Sequence, residues 1–287
     1  MNVSYLLPLY RHDGPFATAY LDTTEYGAHG VHLVELRWRA LRRTLKAREV
    51  PLDVLDRMSD TIADRLNRSL FGDEPGTLVV VANRERVLFN ERVARGAPLG
   101  HTSWDHLPDM FPLIALQLPS APHIVVVKAM PKRRDQPVEV PDGRAAGSER
   151  VVTELEIDLA VADDGTRREY GLLNTYAREL GRGGQAVQGL APTVAALAQR
   201  NVEHLFIAVG GFAQPIAIGG QPLDLAVLPT DLPKSLGRHR LARADAALIR
   251  AAVGGGAEVH AVTEAGMTDA RPWHDGEQIG ALLRHAA

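Results

Sequence analysis

Residues 169–211 read EYGLLNTYAREL, GRGGQAVQGL, APTVAALAQR, NVEHLFIAVGG, and these four segments decide the fold. Leu172, Leu173, Tyr176 and Leu180 recur at helical spacing, and Gly181, Gly183 and Gly184 break the pattern. Leu190, Val194, Leu197 and Ala198 form a second apolar stripe, with Pro192 tolerable in its first turn. Leu205–Val209 is a short apolar run, as in a strand covered on both faces. Helix, glycine-broken linker, helix and buried strand predict an α/β layered domain.

The alternation continues toward the C-terminus. Short strands are predicted around Pro215–Ile218 and Leu223–Val227, a loop over Pro229–Arg240, and a helix over Arg243–Val253 closed by Gly254, Gly255 and Gly256. A strand over Glu258–Val262 and a final short helix over Ile279–Ala286 complete this domain. In the N-terminal part, Ala17–Leu21 reads as a strand. His29–Arg48 reads as a helix with Val34, Trp38, Leu41 and Leu45 on one side. Pro51 starts a second helix, carrying Leu52, Leu55, Met58, Ile62 and Leu66. After a turn over Gly72–Gly76, Leu78–Ala82 and Arg86–Phe89 form a hairpin around Asn83, Arg84 and Glu85.

Between these parts, Ile124–Lys128 and Val152–Val161 read as two strands, and Asp163, Asp164 and Gly165 as a turn. The two strands flank Pro131–Arg150, whose Pro, Gly and charge predict an exposed, mobile loop. The expected fold class is therefore α/β. Two layered domains, 1–122 and 166–287, are joined by a hairpin with a mobile basic loop over 123–165.

Composition narrows the function classes. The 287 residues include no cysteine, which excludes disulfides and thiolate-bound zinc. No apolar run approaches the ~20 residues that a membrane helix needs. The N-terminus lacks the basic start and apolar core of a signal peptide, so a cytoplasmic location is expected. Net charge is −3, so binding to nucleic acid requires local basic patches.

Three such patches are present. Arg37, Arg39, Arg42, Arg43, Lys46 and Arg48 lie on the first long helix. Guanidinium groups on one helical face suit phosphate oxygens, to which each donates two parallel hydrogen bonds. Lys132, Arg133 and Arg134 lie in the mobile loop, and Arg238, His239, Arg240 and Arg243 form the third cluster. Eleven histidines invite a metal reading, but His29/His32 and His101/His106 match no H-E-x-x-H pattern and lack a third ligand. No nucleophile elbow, phosphate loop or acid–base pair stands out. No catalytic residue, metal or cofactor is expected. Gly183, Gly184 and Gln185, and again Gly219, Gly220 and Gln221, spell a GGQ tripeptide, and both have an adequate structural purpose as chain turns.

Three passages carry a resemblance: DGPFATAYLD (13–22) followed by the basic helix; LGRGGQAVQGL (180–190) followed by the strand HLFIAVG; and LARADAAL (241–248) with DGEQIGALLRHA (275–286). In this order they resemble the bacterial relatives of the archaeo-eukaryotic release factor and Pelota, a group that includes Balon-like ribosome hibernation factors. The resemblance implies an N-terminal domain facing the decoding region. It implies a C-terminal domain facing the stalk base or a translational GTPase such as elongation factor Tu. Members of this group usually carry a middle domain, most of which is missing here, and the GGQ tripeptides do not correspond to the release motif. The resemblance thus implies a non-catalytic ribosome-binding factor of dormancy or stress that contacts ribosomal RNA, with neither membrane nor DNA as partner. A peptidyl-tRNA hydrolase or release activity is the alternative. A paralogue that has left the ribosome for a protein partner is a third reading.

Overall fold

A computed structural model describes residues 2–25, 27–69, 76–93, 100–116, 164–210, 214–233, 239–262 and 278–286. The expected strands over Ile124–Lys128 and Val152–Val161, and the basic loop between them, lie outside the described residues. The fold class is α/β, as expected.

The N-terminal sheet has the order β3-β2-β1-β4 and is antiparallel throughout. Its strands are β1 (Phe16–Asp22), β2 (Thr77–Ala82), β3 (Val87–Val93) and β4 (His101–Asp105). Side chains alternate across a strand, and β1 uses both faces. Ala17, Ala19 and Leu21 pack with Leu78, Val80 and Ala82 against α1 (Gly27–Ala47) and α2 (Leu52–Ser69). Phe16 and Tyr20, with Val79 and Val81 of β2, enter a second, larger apolar cluster. Helix α3 (Phe111–Leu116) adds Phe111, Leu113 and Ile114 to that cluster.

In the C-terminal half, α4 spans Asp164–Gly181, β5 Ala186–Gln188, α5 Leu190–Ala198 and β6 Val202–Ala208. Strands β7 (Pro215–Ile218), β8 (Leu225–Ala226) and β9 (Arg240–Arg243) form a small sheet of order β8-β7-β9. Helix α6 (Ala244–Gly255), β10 (Glu258–Val262) and β11 (Ile279–Leu283) follow. The main sheet runs β10-β6-β11-β5, with β10 parallel to β6 and β11 antiparallel to β6 and β5. Leu205 and Ile207 of β6 face the large cluster, and Phe206 faces Leu173 and Tyr176 of α4. Helix α6 is buried from Ala244 through Val253, and its two charged residues there, Asp245 and Arg250, are hydrogen-bonded. Gly256, in the left-handed region at φ 72, ends it.

The large cluster draws on both halves: Val3, Leu6, Phe16 and Met110 from one, Val194, Ile216, Leu248 and Ile279 from the other. Residues 1–118 and 172–287 accordingly form one compact unit, and a second, small unit covers 119–171, of which only 164–171 are described. No helix among the described residues is long and apolar enough to cross a membrane.

Four local expectations change. Ile279–Ala286 was expected to be helical, but residues 279–283 form β11 in the middle of the sheet. Every residue of β11 is buried, and a short, wholly apolar run carries no period that separates a strand from a buried helix. The turn expected at 163–165 is helical from Asp164 onward, and the glycine linker after α4 contains β5. The end of the expected 229–240 loop begins β9, which pairs with β7.

Gly280 shows how closely α4 lies on the sheet. A Cβ there would stand 2.1 Å from the hydroxyl oxygen of Tyr176 and 2.6 Å from its Cζ. Tyr176 is fully buried and its hydroxyl donates to the carbonyl of Val187 at 3.3 Å, so the ring has no room to retreat. Gly280→Ala is expected to destabilise by about 1–3 kcal/mol, the usual cost of overpacking. Chemical denaturation of both proteins checks this, and an unchanged midpoint would contradict it.

Candidate nucleic-acid interface

Helix α1 buries Val34, Trp38 and Leu45 against the sheet and α2, and the Trp38 indole N–H donates to Ser59 Oγ at 2.9 Å. The basic residues occupy the remaining surface, but the structure separates them into two groups. Arg37 is tied down: it donates to the Asp22 carbonyl at 2.8 Å and approaches the carboxylates of Asp22 at 3.2 Å and Glu25 at 3.6 Å. Arg42 is paired with Asp56 of α2. Arg48 donates to the carbonyl of Thr102 on β4 at 3.1 Å. Arg37 and Arg48 fasten α1 to its surroundings, whereas Arg42–Asp56 is a surface pair.

Arg39, Arg43 and Lys46 are exposed. Arg39 has a loose i,i+4 partner in Glu35 at 3.7 Å, and Arg43 Nε donates to the Arg39 carbonyl at 3.3 Å. Their positions, i, i+4 and i+7, form one stripe along the helix. A pair as exposed as Arg39–Glu35 contributes little to stability, so these cations remain available to an external anion.

Of the other predicted contacts, Lys132, Arg133, Arg134 and Arg238 lie outside the described residues. Arg240 is exposed on β9 and lines a cleft of about 470 Å³ along the seam between the halves. Arg11, His12 and His106 line the same cleft from the N-terminal half, with Asp13 as its acidic member. Arg86, which does not line the cleft, has Nη2 3.1 Å from His12 Nε2. No local spacing marks this grouping, because its members lie far apart along the chain.

The second GGQ turn forms part of the cleft wall. Arg250, only 7% exposed, donates to the carbonyl of Gly219 at 3.2 Å and also to that of Gly220. Burial lowers the Arg250 pKa, and the Asp224 charge opposes that shift. Asp224 Oδ2 accepts from the Gln221 amide at 2.8 Å, and a Cβ at Gly219 would lie 2.6 Å from Asp224 Cβ. The first GGQ closes α4: Gly183 sits at φ 61, and the amides of Gly183 and Gly184 donate to the carbonyls of Leu180 at 3.1 Å and Glu179 at 2.9 Å. The glycines of both tripeptides thus have a structural explanation. In the cleft lining, burial drives the Tyr10 phenol far above its ordinary pKa, with the Asp109 charge adding to the shift.

His101 Nε2 lies 2.7 Å from Asp109 Oδ2, and His29 lies 3.8 Å from Glu25. Among the described residues, His204, Glu258 and His260 are the one group that brings three metal-ligand side chains together.

No protein-family profile matches the chain. It is similar to two proteins of Mycobacterium tuberculosis, uncharacterized protein MT2704 of strain CDC 1551/Oshkosh and uncharacterized protein Rv2629 of strain H37Rv. Identity to each is 23% over 366 aligned positions, covering 96% of this chain and 94% of the relative. Those 366 positions take in about 276 of the 287 residues here, so at about 90 positions the relative has residues and this chain has none.

Gly183→Val is expected to cost about 1–2 kcal/mol, because a β-branched side chain is strained in the left-handed region. Gln185→Ala and Gln221→Ala, both at exposed positions, should remain within about 0.5 kcal/mol of the parent. Thermal unfolding of the three variants compares these costs directly. A Gly183→Val variant as stable as the parent would refute the assigned backbone conformation.

Proposed function

We propose that this protein is a non-catalytic, ribosome-binding translation factor that contacts the ribosomal RNA backbone. The observation carrying this reading is the stripe of Arg39, Arg43 and Lys46, held on a helix that Arg37 and Arg48 fasten in place. A rigidly mounted row of exposed cations positions phosphates without reading base sequence. The cationic cleft with Arg240 offers a second contact of the same chemistry.

Two further observations support this reading over peptide release. Both GGQ turns are occupied in holding the fold, the first closing α4 and the second gripped by Arg250. The excess of about 90 positions in the mycobacterial relatives also fits a chain that lacks most of a domain its longer relatives carry. The resemblance to the release factor and Pelota group supplies the ribosome as partner and a translational GTPase, such as elongation factor Tu, as companion. A cytoplasmic location follows from that reading.

Sedimentation with purified ribosomes tests the proposal. The parent protein is expected to co-sediment at low salt and to dissociate steeply as salt rises, because each phosphate contact releases condensed counterions. The triple variant Arg39→Glu, Arg43→Glu, Lys46→Glu should bind at least about tenfold more weakly and show a shallower salt dependence, while melting close to the parent. Undiminished co-sedimentation of a folded triple variant would refute the interface. Hydrolysis of peptidyl-tRNA that is lost in Gln185→Ala or Gln221→Ala would replace the proposal with the enzymatic one.

A further inference from the structure

We propose that His204, Glu258 and His260 bind a divalent transition-metal ion, with Zn²⁺ the best match. Strands β6 and β10 run parallel with Glu258 opposite His204 and His260 opposite Phe206. Residues two apart share a face of a strand, so the three ligand side chains and Phe206 form one patch. The donor atoms converge. His204 Nδ1 lies 3.1 Å from His260 Nε2, and Glu258 Oε2 lies 3.6 Å from each.

Those separations match a metal polyhedron. Zinc bonds of about 2.0–2.1 Å, set at tetrahedral angles, place neighbouring donors roughly 3.3–3.4 Å apart. The three measured edges bracket that value, so small side-chain rotations bring all three donors to bonding distance. Two imidazoles and one carboxylate suit zinc and its neighbours, and they disfavour calcium and magnesium, which prefer an all-oxygen shell.

The surroundings favour a defined site. The two histidine side chains are only 13% and 10% exposed, whereas Glu258 is 34% exposed, so the site opens on the carboxylate side. The His260 ring lies 5.3 Å from that of fully buried Phe206, which in turn lies 5.2 Å from Tyr176. This aromatic wall backs the imidazoles and limits their rotation. Three protein ligands with one side toward water leave a fourth position for a solvent molecule. Without a metal, two facing ring nitrogens at 3.1 Å share one proton in an N–H···N hydrogen bond. Metal binding needs the lone pairs of both nitrogens, so the ring that donates in this bond moves its proton to its other nitrogen.

The cluster was not visible in the chain's local spacing. Glu258 and His260 are two apart, but His204 is 56 residues from His260 and reaches it only through the parallel pairing of β6 and β10.

The test uses full-length, tag-free protein freed of metal by chelator and dialysis. Titration with Zn²⁺ by calorimetry is expected to give one equivalent bound and a raised melting temperature, with no response to Mg²⁺. Co²⁺ should give the intense visible absorption of a four-coordinate site. Glu258→Gln should weaken Zn²⁺ binding by at least about tenfold, and His260→Asn should abolish it. If His260→Asn fails to fold, the Co²⁺ spectrum of the parent against Glu258→Gln decides the matter. The absence of saturable Zn²⁺ uptake, or uptake unchanged in Glu258→Gln, would overturn the proposal.

Discussion

The structure depends on a buried ionic knot at the seam between its halves. Arg243, the last residue of β9, reaches the carboxylate of Asp109 at 3.0 Å and also pairs with Asp245 in the first turn of α6. The side chains of Asp109 and Asp245 are 3% and 0% exposed. Carboxylates so placed have lost their hydration, and only close partners make their charge tolerable. Burial alone would lower the Arg243 pKa, but the Asp245 hydrogen bond and the Asp109 charge raise it overall, so the guanidinium stays charged. Asp245 Oδ1 also accepts from the Ala246 amide at 2.7 Å, and the helix N-terminus favours its charge. On the other side, Tyr20 donates to the Asp109 carbonyl at 2.6 Å and the Asp109 amide donates to Thr18 Oγ1 at 3.3 Å, which ties the knot to β1. One arginine thereby links the N-terminal sheet to the most buried helix of the C-terminal half, and the cationic cleft lies along the same seam.

This arrangement changes the meaning of the basic residues. A count of arginines on α1 treats them alike, yet Arg37 and Arg48 are committed to holding the helix, Arg42 is paired with Asp56, and Arg39, Arg43 and Lys46 face outward. The functional reading rests on that smaller set and on Arg240, whose neighbours in the cleft come from the opposite half. The two GGQ turns likewise become parts of the scaffold, since their glycines answer a positive φ at Gly183 and a close approach to Asp224 at Gly219.

Elements with a clear period were legible in the sequence. The stripe Val34, Trp38, Leu41, Leu45 announced α1, and the tripeptide Asn83, Arg84, Glu85 announced the β2–β3 hairpin. Where burial is complete, the period vanishes, and β11 read as a helix for that reason. The sharing of one core by both halves was also hidden. Phe16 and Tyr20 look like ordinary strand residues until the partners of that second face are known. The site residues followed the same rule. Basic runs local in sequence were found, whereas the cleft, the seam knot and the His204–Glu258–His260 group are made by residues that only the strand order brings together.

The central claim is that the halves fold as one body joined through Arg243 and Asp109. A double-mutant cycle with Asp109→Ala, Arg243→Ala and the combined variant, followed by urea unfolding through tryptophan fluorescence and circular dichroism, measures this most directly. The account predicts one coincident transition for both probes in the parent, and a coupling energy between the two sites of at least about 1 kcal/mol. Two separate transitions in the parent protein, or single-variant effects that simply add, would contradict it.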